Sequence, residues 1–131
     1  MQYEDKRNLS LARMEQANEC LSAAAALVQI EDYKGAANRS YYAILHAMRA
    51  VLAFDMIDMK RHSGVISEFR RRYVKTEIFP VEYSDIIGSA FDVRTNCDYE
   101  DFYLIAREEA EEQIKNAWLF LKAVAEYLKK K

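Results

Sequence analysis

Proline occurs once and glycine three times in 131 residues, so the chain has few places to turn sharply. That scarcity, beside abundant Ala, Leu, Glu, Lys and Arg, excludes a sheet-rich fold with many tight turns and favours long helices. Two cysteines, Cys20 and Cys97, cannot make a disulfide framework. No Cys-x-x-Cys or Cys/His cluster suggests zinc, and the expectation is a reduced protein with one packed and one half-exposed thiol. The longest run of small and apolar residues, LSAAAALVQI, is too short to span a bilayer. The charged opening MQYEDKRNLS lacks the apolar core of a signal peptide, so a cytoplasmic protein with no membrane partner is expected. A formal charge of -2 and a pI near 5.7 give no global attraction to nucleic acid. Any such attraction must be local.

What is present reads as amphipathic helix. Leu9, Ala12 or Arg13, Ala17, Cys20, Ala24 and Leu27 or Val28 recur at three- and four-residue steps, predicting a first helix from about Asp5 to Ile30. EDYKG interrupts it. A second helix runs from about Lys34 to Phe54, with Ala37, Tyr41, Ile44, Met48 and Val51 on one face. DMIDMKRH is a connection, and Ser63 is a candidate N-cap for a shorter helix through Val74. Pro80 stands near the start of a fourth helix, where a missing N–H costs little, ending about Arg94 or Asn96. The last helix, from near Ala106 to Lys129, has acids in its first turns and lysines in its last, complementing the helix dipole. With no repeat or composition break, the expected fold is a single all-α domain over 1–131: an up-and-down bundle of four main helices and one short one.

Three polar features rise above that background. On the second helix, Asn38, Tyr42, His46 and Arg49 form a polar and aromatic stripe beside the apolar one, suited to a solvated face, a polar groove or a subunit interface. In MKRHSGVISEFRRRYVK, six cations, Lys60, Arg61, Arg70, Arg71, Arg72 and Lys75, oppose Glu68 alone. The start of the third helix adds backbone N–H groups near Lys60 and His62, a setting for phosphate as well as for an ordinary wet helix face. In FDVRTNCDYEDFY, Arg94 ends an apolar helical run. Asp98 pairs with it if the helix continues, and Tyr99, Phe102 and Tyr103 are expected to pack the following loop onto the bundle.

Several chemistries are excluded. There is no Glu-x-x-His pair for a dimetal bundle, and no glycine-rich phosphate loop or Gly-x-Ser-x-Gly elbow. No metal or cofactor is expected. His46 and His62, the two histidines, are the few candidates for a general base.

ANRSYYAILHAMRAVL, KRHSGVISEF and VRTNCDYEDF occur in the order seen in HEPN-domain proteins. The chain resembles in particular the small stand-alone prokaryotic members with a Tyr-Tyr-Ala helix, a Lys-x-His-Ser-Gly loop and an Arg-x-x-x-Asp-Tyr corner. The resemblance covers roughly residues 5 to 128. It implies a helical bundle, commonly a homodimer, and in many members a metal-independent ribonuclease site built on Arg-x(4–6)-His. There the arginine contacts phosphate and the histidine supports attack by the ribose 2′-hydroxyl. It also implies, for stand-alone members, a minimal nucleotidyltransferase partner in a toxin–antitoxin pair, or nucleotide or RNA binding without cleavage.

This chain departs from that pattern. Arg94 holds the arginine position, but Tyr99 stands where the histidine belongs, and a phenol with an ordinary pKa near 10 is a poor base. The literal match RSYYAILH, Arg39 to His46, lies mid-helix. The resemblance therefore implies a site in which Arg94 holds phosphate, Asp98 orients it and Tyr99 braces it. Lys60 and His62 supply further phosphate contacts or proton transfer, Arg61 and His46 add to the ligand-binding set, and Asn38 and Tyr42 line the wall. The alternative is a non-catalytic dimerisation or protein-interaction module.

Overall fold

The computed structural model describes residues 3–131; Met1 and Gln2, which open the charged N-terminal stretch, lie outside them. Five helices follow in order: α1 (Tyr3–Gln29), α2 (Tyr33–Phe54), α3 (His62–Phe69), α4 (Val81–Tyr99) and α5 (Arg107–Lys129). A π-helical turn, Arg70–Val74, continues directly from α3. Among the described residues there is no strand. The bundle of four long helices and one short one is the architecture expected from the periodicity.

α2 is the central post, contacting α1, α3, α4 and α5. Thirteen of its 22 residues are buried, which leaves only one narrow side for polar groups. Ala36, Ala43, Ala47 and Ala50 are fully buried; with no side chain beyond Cβ they let neighbouring helices approach closely. Below them Phe69, Phe79 and Phe120 meet with ring centroids 5.3 to 6.5 Å apart. Tyr73 joins them from the π turn and donates its hydroxyl to Asp55. The predicted apolar seam of α1 is buried at Ala17, Cys20, Ala24 and Val28, and Arg13 is buried in the same seam. Cys20 and Cys97 are both free, one buried and one half-buried.

Helix ends show how a glycine-poor chain turns. Glu31, Met56 and Glu77 adopt left-handed backbone at φ 63°, 63° and 64°, whereas no glycine does. α1 closes with Glu31 N–H on the Val28 carbonyl, and α2 closes with Ile57 N–H on that of Leu52. Asp32 caps α2 by accepting from Gly35 N–H at 2.9 Å. A Cβ at Gly35 would lie 2.4 Å from Asp32 Oδ2, so any other residue there would make the Asp32 side chain shift within the cap.

Two boundaries differ from expectation. α3 begins two residues earlier than a Ser63 cap would have it, at His62, with Arg61 as N-cap and no side-chain cap bond, so Ser63 is not the cap. α4 continues through Tyr99 rather than stopping at Arg94 or Asn96. That extra turn places Asp98 one helical turn from Arg94, the condition for their pairing.

Candidate functional site: an arginine–tyrosine–histidine cluster

Arg94 projects from the last third of α4 toward α2. Its guanidinium lies over the rings of Tyr41 and Tyr42, 5.3 and 5.8 Å from the centroids, and Nη2 donates to Tyr42 Oη at 3.4 Å. Nε approaches Asp98 Oδ2 at 2.9 Å. That approach is an ion pair without hydrogen-bond angle, so buried Nε has no hydrogen-bond partner. The Arg94 side chain keeps 20% of its surface exposed. It is therefore held by protein but reachable from solvent.

His62, the first residue of α3, faces the same rings. Tyr41 Oη and His62 Nδ1 are 3.0 Å apart, and the His62 ring stands edge-on to Tyr42 at 5.6 Å. Tyr41 joins the core by its ring and the cluster by its hydroxyl. Sequence periodicity assigned it to the apolar face alone, and only the position of α3 reveals the second role. Burial pushes the Tyr41 phenol up to about 12, against a smaller opposing pull from Arg94, so it stays protonated at neutral pH. Burial also holds His62 below the ordinary imidazole range, reinforced by the positive charges of Arg94 and Arg49.

Along α2 the cationic character continues. Arg39 also lies over Tyr42, 4.9 Å from that ring centroid, and donates to Asn38 Oδ1 at 3.1 Å. His46 is lowered first by burial and then by Arg49, Arg13, Arg39 and His62; its buried Nδ1 has no partner. Arg13 and Arg49 share one carboxylate oxygen, Asp58 Oδ1, at 2.9 and 3.2 Å. Hydrogen bonding from Arg13 leads the effects that hold Asp58 below the usual carboxylate range. Arg13, Arg49 and Arg94 thus share two carboxylates, Asp58 and Asp98, while Arg39 on the Tyr42 ring has no carboxylate in hydrogen-bond reach, and two imidazoles stand beside them. Arg13 and Arg39 were not among the expected wall residues. The signal for Arg13 was a charge standing on the apolar seam of α1.

Asn38, Tyr42 and His46 are half-buried, not a solvated face, whereas Lys60 and Arg61 are exposed just before His62. Arg71 and Arg72 are both paired with Glu68, and Arg70 donates to Ser84 Oγ and to the Ser84 carbonyl. The RRR stretch is thus largely committed. Tyr99 is 76% exposed and Phe102 95%, so of the three aromatics only Tyr103 packs its loop, donating its hydroxyl to Glu109. Beside the cluster, Phe91 touches Tyr41 and opens onto a groove of about 570 Å³ between α3 and α4.

Fold and cluster define a class of all-helical bundle with a cationic, aromatic side-chain cluster where α2, α3 and α4 meet. The HEPN domain profile matches residues 10–128, and the chain belongs to the HEPN family. It is 33% identical over 128 residues to the Methanocaldococcus jannaschii protein named "Putative toxin MJ0142", covering 98% of this chain and 86% of that one. It is 34% identical over 125 residues to "Putative toxin MJ0605" of the same organism, covering 95% and 92%. A UPF0332 protein of Thermotoga maritima is 32% identical over 108 residues, 82% of each chain. The crystal structure of TT1696 from Thermus thermophilus shares the fold, with TM-score 0.76 at 20% identity over 89% of this chain and 96% of that one. Among the described residues no helix is long and apolar enough to cross a membrane.

Proposed function

We propose that this chain is a stand-alone HEPN module that binds an RNA or nucleotide phosphate at the α2–α3–α4 cluster and acts as the toxin-like half of a two-protein pair. The observation that carries this is the charge imbalance around a reachable Arg94: more guanidinium than carboxylate, walled by aromatic rings. Half-buried positive charge without full compensation is stabilised by an anion, and the planar guanidinium fork suits phosphate oxygens. Lys60 and Arg61, exposed before His62, extend the attraction outward. The names of the two archaeal relatives support the toxin-like reading, and the family resemblance supports a homodimer and a minimal nucleotidyltransferase partner in the cytoplasm.

If RNA is cut, the chemistry falls to His62 rather than Tyr99. In the tautomer whose Nδ1–H is donated to Tyr41 Oη, neutral His62 presents Nε2 as the base that takes the 2′-hydroxyl proton. Arg94 then offsets charge on the phosphate as the 2′-oxygen attacks phosphorus and the bond to the 5′-oxygen breaks, that oxygen taking a proton from water. Asp98 holds the Arg94 side chain, and Tyr42, Asn38 and His46 form the wall.

Binding of a labelled single-stranded RNA, with its mononucleotides as competitors, tests the reading. Arg94→Ala is expected to weaken affinity on the order of tenfold or more, the scale of a charge-assisted phosphate contact. Cleavage, if present, persists in chelator, leaves 2′,3′-cyclic phosphate ends and is lost in His62→Ala. Unchanged affinity in Arg94→Ala, with no cleavage by the parent, contradicts the proposal.

A further inference from the structure

Between α3 and α4, next to the arginine–tyrosine–histidine cluster, lies a groove of about 570 Å³. Ser63, which follows His62 in α3, lines one wall and Phe91 the other. The Phe91 ring centroid is 6.2 Å from that of Tyr41, and buried Ile87 forms part of the floor. At about 3.6 residues per turn, Arg94, Phe91, Gly88 and Asp92 follow one another around α4. The groove therefore runs from the Arg94 side of that helix to the Asp92 side. Asp92 is exposed at the far rim, and among the described residues its carboxylate has neither an ion pair nor a hydrogen bond. Arg70 lines the same groove. Its Nε and Nη2 donate to the Ser84 Oγ and carbonyl, which leaves Nη1 unused and the positive charge without a carboxylate. Gly88 lets this guanidinium lie against α4, since a Cβ there would stand 3.2 Å from Nη2. One groove thus holds a carboxylate and a guanidinium that do not pair with each other, over an aromatic and aliphatic bed.

We propose that this groove is the base pocket of the phosphate site and that the base it selects is guanine. The inference rests on the phosphate reading of the cluster: a nucleotide held by its phosphate at Arg94 lays its base across Phe91 toward Asp92. An aromatic side chain supplies a stacking surface for any base, so the choice among bases falls to the two charged groups. A carboxylate only accepts hydrogen bonds. Among the RNA bases, guanine alone offers it two adjacent donors, N1–H and the N2 amino group. Adenine and cytosine set an acceptor ring nitrogen beside their amino group, and uracil sets a carbonyl on each side of its N–H. On its other edge guanine presents O6 and N7, the acceptors that an arginine fork recognises, and Arg70 has Nη1 left for them. Asp92 and Arg70 are specificity-determining residues in this account, and neither takes part in holding the phosphate.

Titration of the full chain with nucleoside monophosphates, followed by amide NMR, tests it. The guanine nucleotide is expected to bind about tenfold more tightly than the adenine, uracil and hypoxanthine nucleotides, the scale of one bidentate contact, and to shift residues 63–70 and 87–92. Hypoxanthine keeps O6 and N7 but lacks the N2 amino group, so it reports on Asp92; a 7-deazaguanine nucleotide reports on Arg70. Asp92→Asn, an exposed change outside the phosphate cluster, is expected to abolish the guanine preference and leave the affinity for the adenine nucleotide unchanged. Arg94→Ala weakens every nucleotide and keeps their order. Arg94-dependent binding with equal affinity for guanine and adenine nucleotides, or a guanine preference that survives Asp92→Asn, overturns the base pocket and leaves the phosphate site standing. Absence of nucleotide binding, or binding indifferent to Arg94→Ala, overturns both. Concentration-dependent shifts at residues 63–70 and 87–92 without nucleotide place a second copy in the groove and overturn the pocket as well.

Discussion

Arg94 is held by contacts that are individually modest. An i,i+4 ion pair with a carboxylate 36% exposed contributes about 0.3–0.5 kcal/mol, and a partly exposed cation over two rings adds about 0.5–1 kcal/mol each. Arg94→Ala should therefore cost about 1–2 kcal/mol in urea unfolding. A loss of several kcal/mol would mark a scaffold charge instead. The histidines provide a second residue-scale prediction. Both are depressed from the ordinary value of 6.5, chiefly by burial. Below pH 6.5 the unfolded chain takes up protons that the folded chain refuses, so stability falls as pH drops through that region. With two histidines in the chain, proton NMR titration can follow each, and both midpoints should lie below 6.5. A midpoint above that value for His62 contradicts its placement beside Arg94. What the sequence left unread at this scale was mostly long-range. Tyr41 sits on an apolar helix face, and nothing local to α2 reports that His62 approaches its hydroxyl from another helix.

Element by element, periodicity and capping were more legible. The five helices and the connection before α3 follow from three- and four-residue spacing, Pro80 and the acid-to-lysine gradient of α5. Boundaries were less so, because termini are decided by partners as much as by local preference. α4 runs past Arg94 to Tyr99, where the Arg94–Asp98 pair rewards another turn. α3 starts at His62 without a side-chain cap, so the Ser63 signal had no bond behind it. The widened turn at Arg70–Val74 has no signature in the sequence that we can identify. The left-handed helix ends are a consequence of glycine scarcity. Glu77 at φ 64° bears a cost that glycine does not, about 1–2 kcal/mol, offset in part by glycine's looser unfolded chain. Glu77→Gly should stabilise the protein by about 0.5 kcal/mol or more in thermal unfolding; destabilisation would mean that the Glu77 side chain matters. Asp32→Ala should cost about 1 kcal/mol through loss of the α2 cap.

For the whole molecule, net charge and local charge point in opposite directions. A chain of formal charge -2 gathers Arg13, Arg39, Arg49 and Arg94 around two histidines and leaves acids at the α4–α5 corner. The fold, rather than the composition, separates the signs. That separation is what the proposed phosphate site requires of a chain with net negative charge. The family was legible from three ordered motifs; the missing histidine after Arg94 was legible too. That His62 lies against the tyrosine pair beside Arg94 required the bundle.

Salt dependence of RNA binding tests the central claim most directly. With a single-stranded RNA, the logarithm of affinity falls with the logarithm of salt by about 0.7 per phosphate neutralised. If Arg94 neutralises one, Arg94→Gln should flatten that slope by about 0.7 while the fold remains intact by circular dichroism. An unchanged slope in a folded Arg94→Gln protein would place the phosphate elsewhere and contradict the account.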